Sequence, residues 1–347
     1  MSNLPIPVFT SLGLFIVDEI HFDDGMSIHD ILGGGGTFGI VGSRMILGKR
    51  MSQRCGWVVD VGNDCPPEMI TTLKCWNTGA IFRYHEDRKC NHGWNKYGTN
   101  DFRQFKFTTP QIDITVKDLL NYKHLLQSKS FHFILSPQNC LDVLTKLEDN
   151  AESDTKPVIV WEPDPDDCTN EMLEHCLPVL KRIDVLSPNA AECASFLGLA
   201  EPVDHAGCEI VAQRFLPHMS KRSDSAVVLR CGAMGCLLLT RSLREWFPPY
   251  HQGSNSIVDP TGCGNTFVGA FATGMVLSGR ELKIACICGT LASGASIEQH
   301  GVPGLTDGEP ELWNGISMNT RAQRYLESHP ELEIEYEEFI KKIAPPN

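Results

Sequence analysis

The chain has 347 residues, 42% apolar and 21% charged, with a formal net charge of −13. That length suits one large α/β domain with a substantial core, and so acidic a surface works against nucleic-acid binding and against docking on anionic lipid. No run of ~18 apolar residues occurs, so no membrane span is expected.

The opening residues, Met1 to Pro7, have neither the charged nor the apolar region of a secretory signal. A cytoplasmic location, or a nuclear one, is the expectation, with the 14 cysteines as reduced thiols.

In chain order, the first β-branched apolar run is Val8–Val17, expected as a strand. The glycine-rich stretch Met26–Gly48 follows, then a strand at Trp57–Val61. Residues 83–107 mix His, Asn, Trp, Tyr and basic side chains without periodicity, which suggests an inserted surface excursion. A helix is expected over Val116–Ser128, a strand over Phe131–Leu135, and a helix over Cys140–Leu147. The strand Val158–Trp161, the helix Met172–Val179 and the strands Val185–Leu186, Ala226–Leu229 and Cys236–Leu239 come next. A helical tail occupies roughly 305–347, its last helix near Ala322–Ile343. Continuous apolar strands alternating with helices predict a single α/β domain over 1–347. Its architecture is a doubly wound, mostly parallel central sheet with helices on both faces and a small lid or loop excursion.

The strongest local signal is Val258-Asp-Pro-Thr-Gly262-Cys-Gly264-Asn-Thr-Phe267, a Gly-x-Gly turn running into an apolar helix to about Leu277. Glycines at such a turn let main-chain N–H groups face one point, where the helix dipole favours an anion, and phosphate is the obvious guest.

This stretch resembles the C-terminal signature of the PfkB carbohydrate kinases, Asp-Thr-x-Gly-Ala-Gly-Asp-x-Phe. Asp259, Thr261, Gly262, Gly264 and Phe267 match, while Cys263 stands for Ala and Asn265 for the last Asp. Further likenesses occur in the family's order: Gly13 to Asp18, Gly34-Gly35 through Gly48, Asn189-Ala-Ala-Glu192, Arg230-Cys-Gly232-Ala-Met-Gly235 (Thr-x-Gly-x-x-Gly in the family) and Ala285–Gly301. The wording Gly-Gly-Gly-Gly-Thr-Phe and Pro-Thr-Gly-Cys-Gly-Asn resembles a fungal branch of the family.

The resemblance implies a ribokinase-like fold and ATP- and Mg²⁺-dependent phosphoryl transfer to a hydroxyl of a small sugar-like or nucleoside-like substrate. Gly262, Gly264 and Asn265 would form the catalytic turn. Asp18, Gly34, Gly35 and Gly39 would line the substrate, and Asn189, Gly232, Gly235, Thr261, Cys263 and His300 the nucleotide. Glu192, with Asn189, would hold Mg²⁺ through water. A homodimer joined through the lid is compatible with the family.

Two departures bear on activity. The family's proton acceptor aligns with Asn265, and an amide is no base at neutral pH; general-base help contributes roughly 10²–10⁴ in rate. A substrate-contacting Asn of the family aligns with Gly39. A slow kinase, a kinase with a substituted base such as Asp18, and a catalytically inactive nucleotide- or sugar-binding regulatory protein all stay open. Arg83, Arg88, Trp94 and Tyr97 in the excursion are candidates to cover a ligand or to make a subunit contact.

Three side readings are simpler. Asp259 suits local backbone capping, as Asp does in turns. Glu162 and Asp164, at a strand end, suit either metal support or a solvated loop. Gly34-x-Gly36-x-x-Gly39 with Asp60 fits an NAD(P) fingerprint, but the preceding Phe22–Asp30 segment is polar.

Overall fold

Period-two patterning turns the apolar runs into strands that feed two cores at once. The computed structural model describes residues 5–98, 103–151 and 156–344. Its strands are β1 (Phe9–Ser11), β2 (Ile16–Phe22), β3 (Ser27–Gly33), β4 (Cys55–Val61), β5 (Gly79–Tyr84), β6 (His92–Tyr97) and β7 (Arg103–Phe107). They continue with β8 (Ser130–Leu135), β9 (Val158–Pro163), β10 (Val185–Leu186), β11 (Ala226–Arg230), β12 (Cys236–Leu239) and β13 (Arg244–Phe247). Nine form the central sheet in the order β13-β12-β11-β10-β9-β8-β1-β4-β5. It is parallel from β11 to β5 and antiparallel only across β11-β12-β13.

Each strand serves both faces. Val158 and Val160 enter the core under the helices Gly35–Met51, Cys263–Leu277 and Leu282–Ser296, while Ile159 and Trp161 enter the opposite one. The second core lies under Pro137–Asp149, Leu173–Leu180 and His205–Gln213. The doubly wound α/β arrangement read from the sequence is therefore the arrangement present.

The remaining strands build a separate four-stranded sheet, β3-β2-β6-β7. The expected single strand Val8–Val17 is two strands in two sheets. Gly13 breaks it: a Cβ there would come 2.5 Å from the Gly36 nitrogen, so the chain bends closely around the start of a helix. The polar segment before Gly34 is β3, whose first four residues are exposed, so it shows no hydrophobic pattern. Residues 83 and 84 finish β5, and β6 and β7 complete the small sheet; 99–102 lie outside the described residues.

Two expected helices are each divided. Val116–Ser128 becomes Val116–Leu120 and Lys123–Leu126, and the last helix becomes Met318–Ser328 and Tyr336–Ile343. The second break falls at Pro330 and at Glu333, which adopts φ 55°.

The helices Gly35–Met51 and Cys263–Leu277 cross with backbones in contact. A Cβ on Gly269 would lie 1.9 Å from the Gly39 carbonyl oxygen, and one on Gly42 would lie 2.0 Å from that of Thr266. That close crossing brings the two helix N-termini together at the carboxyl end of the central sheet.

Candidate active site

Both helices start on a glycine with positive φ, Gly34 at 96° and Gly262 at 76°, conformations that side chains resist. Neither start has a capping side chain; the Gly36 and Thr37 N–H groups donate to the Leu14 carbonyl at 3.0 and 3.4 Å, and the Cys263 N–H donates to the Pro260 carbonyl at 3.2 Å. The Phe38 ring backs Gly262: a Cβ there would meet it at 2.4 Å. A Cβ at Gly35 would meet Asn265 Oδ1 at 2.6 Å, which puts Asn265 between the two starts. That oxygen is buried and has no hydrogen-bond partner among the described residues.

Beside the turn runs a chain of buried charge. His132, on β8, meets Glu162 Oε2 at 3.0 Å through Nε2. Arg230, at the end of β11, donates through Nη2 to Glu162 Oε1 at 2.7 Å and to the Ser187 carbonyl at 3.0 Å, and lies 3.6 Å from Glu192 Oε2. A Cβ on Gly264 would come 1.8 Å from Arg230 Nη1, so the guanidinium lies directly against this turn. Burial works to raise the Glu162 carboxyl, but Arg230 and His132 hold it below its usual range. Burial pushes Glu192 up to about 7, with Arg230 pulling the other way and Glu162 adding to the rise.

Asn189 and Glu192 form a capping box at the start of Ala190–Ser195. The Asn189 N–H and Nδ2 donate to the two carboxylate oxygens at 2.8 and 2.7 Å, and Asn189 Oδ1 accepts from the Glu192 N–H. Among the described residues no group of three His, Cys, Asp or Glu side chains is disposed to hold a metal ion. Arg230 already sets its positive charge against Glu162 and Glu192 at 2.7 and 3.6 Å, so a divalent cation placed there, directly or through water, would face a guanidinium, and these side chains do not fit Mg²⁺.

Asp18 sits on β2 with its carboxylate wedged between strands: a Cβ on Gly33 or Gly93 would come 1.8 or 2.0 Å from its oxygens. Burial pushes its carboxyl up to about 7; a hydrogen bond from Asn95 opposes this and the charge of Asp259 adds to it. Asp18 Oδ1 is another buried oxygen without a partner among the described residues.

The small sheet is tied to the Gly262–Asn265 turn through Asp259, which is 1% exposed. Tyr97 on β6 donates to its carboxylate at 2.9 Å and also bonds the Thr261 hydroxyl, while the Thr261 N–H donates to it at 2.8 Å. His300 Nδ1 meets the same carboxylate at 2.9 Å, and Phe22 packs edge-on to both Tyr97 and His300. Burial works to raise the Asp259 carboxyl, but His300, Thr261 and Tyr97 hold it below its usual range.

The structure thus brings together Gly34, Gly35, Gly39, Gly262, Cys263, Gly264, Asn265, Asn189 and Glu192, with Asp18 alongside on the small sheet. His300 and Thr261 gather at the Asp259 latch. Gly232 and Gly235 form the tight β11–β12 turn, both at positive φ. Arg83 and Arg88, candidates to cover a ligand, instead pair with Asp60 at 2.6 and 3.0 Å, and Arg83 also pairs with Asp118. That pairing occupies the acid of the dinucleotide reading, whose glycines follow β3 of the small sheet, so nothing here favours an oxidoreductase.

His132 and the placement of Arg230 escaped the sequence reading. A lone histidine between Phe131 and Phe133 was the available signal for the first. For the second it was an arginine where the family motif has threonine.

The shared sequence pattern of the pfkB family carbohydrate kinases matches residues 91–306, and the chain belongs to that family. Two fungal proteins resemble it over nearly their whole length. It is 37% identical over 351 residues to Protein MAK32 of Saccharomyces cerevisiae, covering 96% of this chain and 95% of that one. It is 34% identical over 340 residues to an uncharacterized protein of Schizosaccharomyces pombe, covering 92% of each. Among solved structures, ribokinase from Giardia lamblia superposes with a TM-score of 0.65 at 15% identity, over 85% of this chain and 94% of that one. Anopheles gambiae adenosine kinase gives 0.65 at 16% identity, over 84% and 95%. At such identities these two show the fold, which is ribokinase-like.

Proposed function

We propose that the protein binds ATP with the terminal phosphate on the Gly262–Asn265 turn and transfers that phosphoryl group to a hydroxyl of a small sugar-like or nucleoside-like molecule. The observation that carries this reading is the convergence on Asn265 of two glycine-started helix N-termini without capping side chains; the buried Asn265 side-chain oxygen lacks a partner among the described residues. The family supports it, as do two further relatives, a bifunctional ribokinase/ribose-5-phosphate isomerase A and an adenosine kinase.

In this reading the main-chain N–H groups at Gly262 and Gly264 stabilise charge on the phosphoryl oxygens as it develops. Gly34 and Gly35 bring the second helix start against the acceptor, and Gly39 leaves the space beneath them open to His132 Nδ1, 3.3 Å from a Cβ placed there. Asp18 accepts hydrogen bonds from acceptor hydroxyls in its ionised form. Asn265 orients the attacking hydroxyl but cannot take its proton. Gly232 and Gly235 border the nucleotide side, and the Asp259 latch with His300 holds the lid sheet over it. Mg²⁺ belongs to the chemistry of the family, and no step is assigned to it here because Glu192 is engaged by Asn189 and Arg230. A cytoplasmic or nuclear location suits the free cysteines.

Asn265 favours one second reading: the same site binds its ligands without turnover, as a regulatory protein. Asn265→Asp separates the two. Restoring the carboxylate is expected to raise phosphoryl transfer by roughly 10²–10⁴ over the wild type across a panel of sugars and nucleosides. No transfer by either protein, with ATP bound, leaves the regulatory reading standing, and no ATP binding removes both.

A further inference from the structure

Arg230 is placed like a counter-ion. Its guanidinium reaches the two buried carboxylates Glu162 and Glu192, at 2.7 and 3.6 Å, from one side and the phosphate turn from the other. Only Nη2 carries hydrogen bonds to these neighbours, to Glu162 and to the Ser187 carbonyl. Nε is buried without a partner among the described residues, and Nη1 rests against Gly264. A guanidinium has five N–H donors in a planar fork suited to phosphate and stays charged at any physiological pH. Here part of the fork is anchored and the rest is left beside main-chain N–H groups that also await an anion. The family motif has threonine at this position, which brings no charge. A divalent cation held at these carboxylates, even through water, would sit beside a fixed positive group already set between them.

We propose that Arg230 is the resident counter-charge of the phosphate turn, so that this site takes a nucleotide's terminal phosphate without a divalent cation on Glu192. The inference rests on the turn being a phosphate site, as in the kinase reading, and replaces the metal in it by a side chain. Arg230 then touches the phosphoryl oxygens directly, and Glu162, itself held by His132, is the positioning residue that fixes the fork.

The test is isothermal titration of the full chain with the non-hydrolysable analogue adenylyl imidodiphosphate, once in EDTA and once with excess Mg²⁺. The wild type is expected to bind in EDTA with an affinity within about threefold of the Mg²⁺ value. Arg230→Gln is expected to weaken the EDTA measurement by about tenfold or more, roughly the loss of one charge-assisted contact, and to regain affinity when Mg²⁺ is added. Arg230→Lys keeps the charge and is expected to stay within a few-fold of wild type. A purely structural arginine would not make the metal dependence change with the side chain. Wild-type binding that requires Mg²⁺ overturns the proposal and leaves the kinase reading intact; absence of binding in both buffers overturns the kinase reading with it. Should Arg230→Gln fail to fold, the wild-type comparison and Arg230→Lys decide.

Discussion

Among the buried arginine–glutamate pairs in this protein, two use the same chemistry to different ends. Arg44, 1% exposed on the helix Gly35–Met51, spends its whole fork: Nε donates to the Trp76 carbonyl at 2.7 Å, Nη1 to Glu311 Oε2 at 2.9 Å, and Nη2 to Glu311 Oε1. It staples the C-terminal segment onto the core with all three nitrogens engaged. Arg230 commits one nitrogen to its neighbours and leaves two aimed at or beside a glycine turn. A buried charge costs free energy unless its partners satisfy it. A saturated pair is therefore complete in itself, whereas an unsaturated one beside two helix N-termini marks where a ligand is expected. The difference lies in the count of unspent donors, since both arginines are paired and both are largely buried.

Substitutions sharpen that contrast. Arg44→Met strands the buried Glu311 carboxylate and is expected to cost about 3–5 kcal/mol, read by urea unfolding. Nucleotide-analogue affinity per folded molecule should stay at the wild-type value; a fall there would erase the distinction between the two arginines. Gly269→Ala pushes a Cβ to 1.9 Å from the Gly39 carbonyl, at an expected cost of about 1–3 kcal/mol. Unlike Arg44→Met, it should also weaken the analogue, because it parts the two helix starts; thermal melts and titration on the same samples check both.

Tyr97→Phe removes the lid's hydrogen bonds to Asp259 and Thr261 and is expected to cost about 1.5 kcal/mol locally. Faster amide exchange in β6 with little change in β8 is the signature; uniform exchange through both would make the latch part of the global core.

A further effect concerns pH. The Asp18 carboxyl is raised from 3.8 to about 7 by burial, so the folded state binds the proton more tightly than the unfolded chain. Its contribution to stability is full below about pH 4 and is lost as pH rises toward and through 7. Asp18→Asn should therefore lift the melting temperature at pH 8 and leave it unchanged near pH 4. An equal shift at both pH values would mean that the carboxyl is not held neutral by the fold.

Much of the central sheet could be read directly. Trp57–Val61, Phe131–Leu135, Val158–Trp161, Ala226–Leu229 and Cys236–Leu239 all lie in strands of that sheet, because a strand buried on both faces must be apolar throughout. The glycine turn at 262–265 was legible for a similar reason: a positive φ and an approach this close each select glycine. The small sheet was not legible. β3 exposes its polar residues, and β6 pairs in parallel with β2, a partner some seventy positions upstream, which no local pattern announces.

By itself, the sequence determined the strand-and-helix alternation, the glycine-started helices and the loss of a carboxylate at Asn265, all of which are written within a few neighbouring residues. Only the tertiary structure decided which charges meet. Arg230 and Glu162 stand 68 positions apart and Tyr97 and Asp259 162 apart, and their encounter depends on the order of strands in the sheet. The physical reason is one of range: backbone conformation answers to the nearest residues, while ion pairs and hydrogen bonds between side chains exist only where folding has brought distant strand ends into one place.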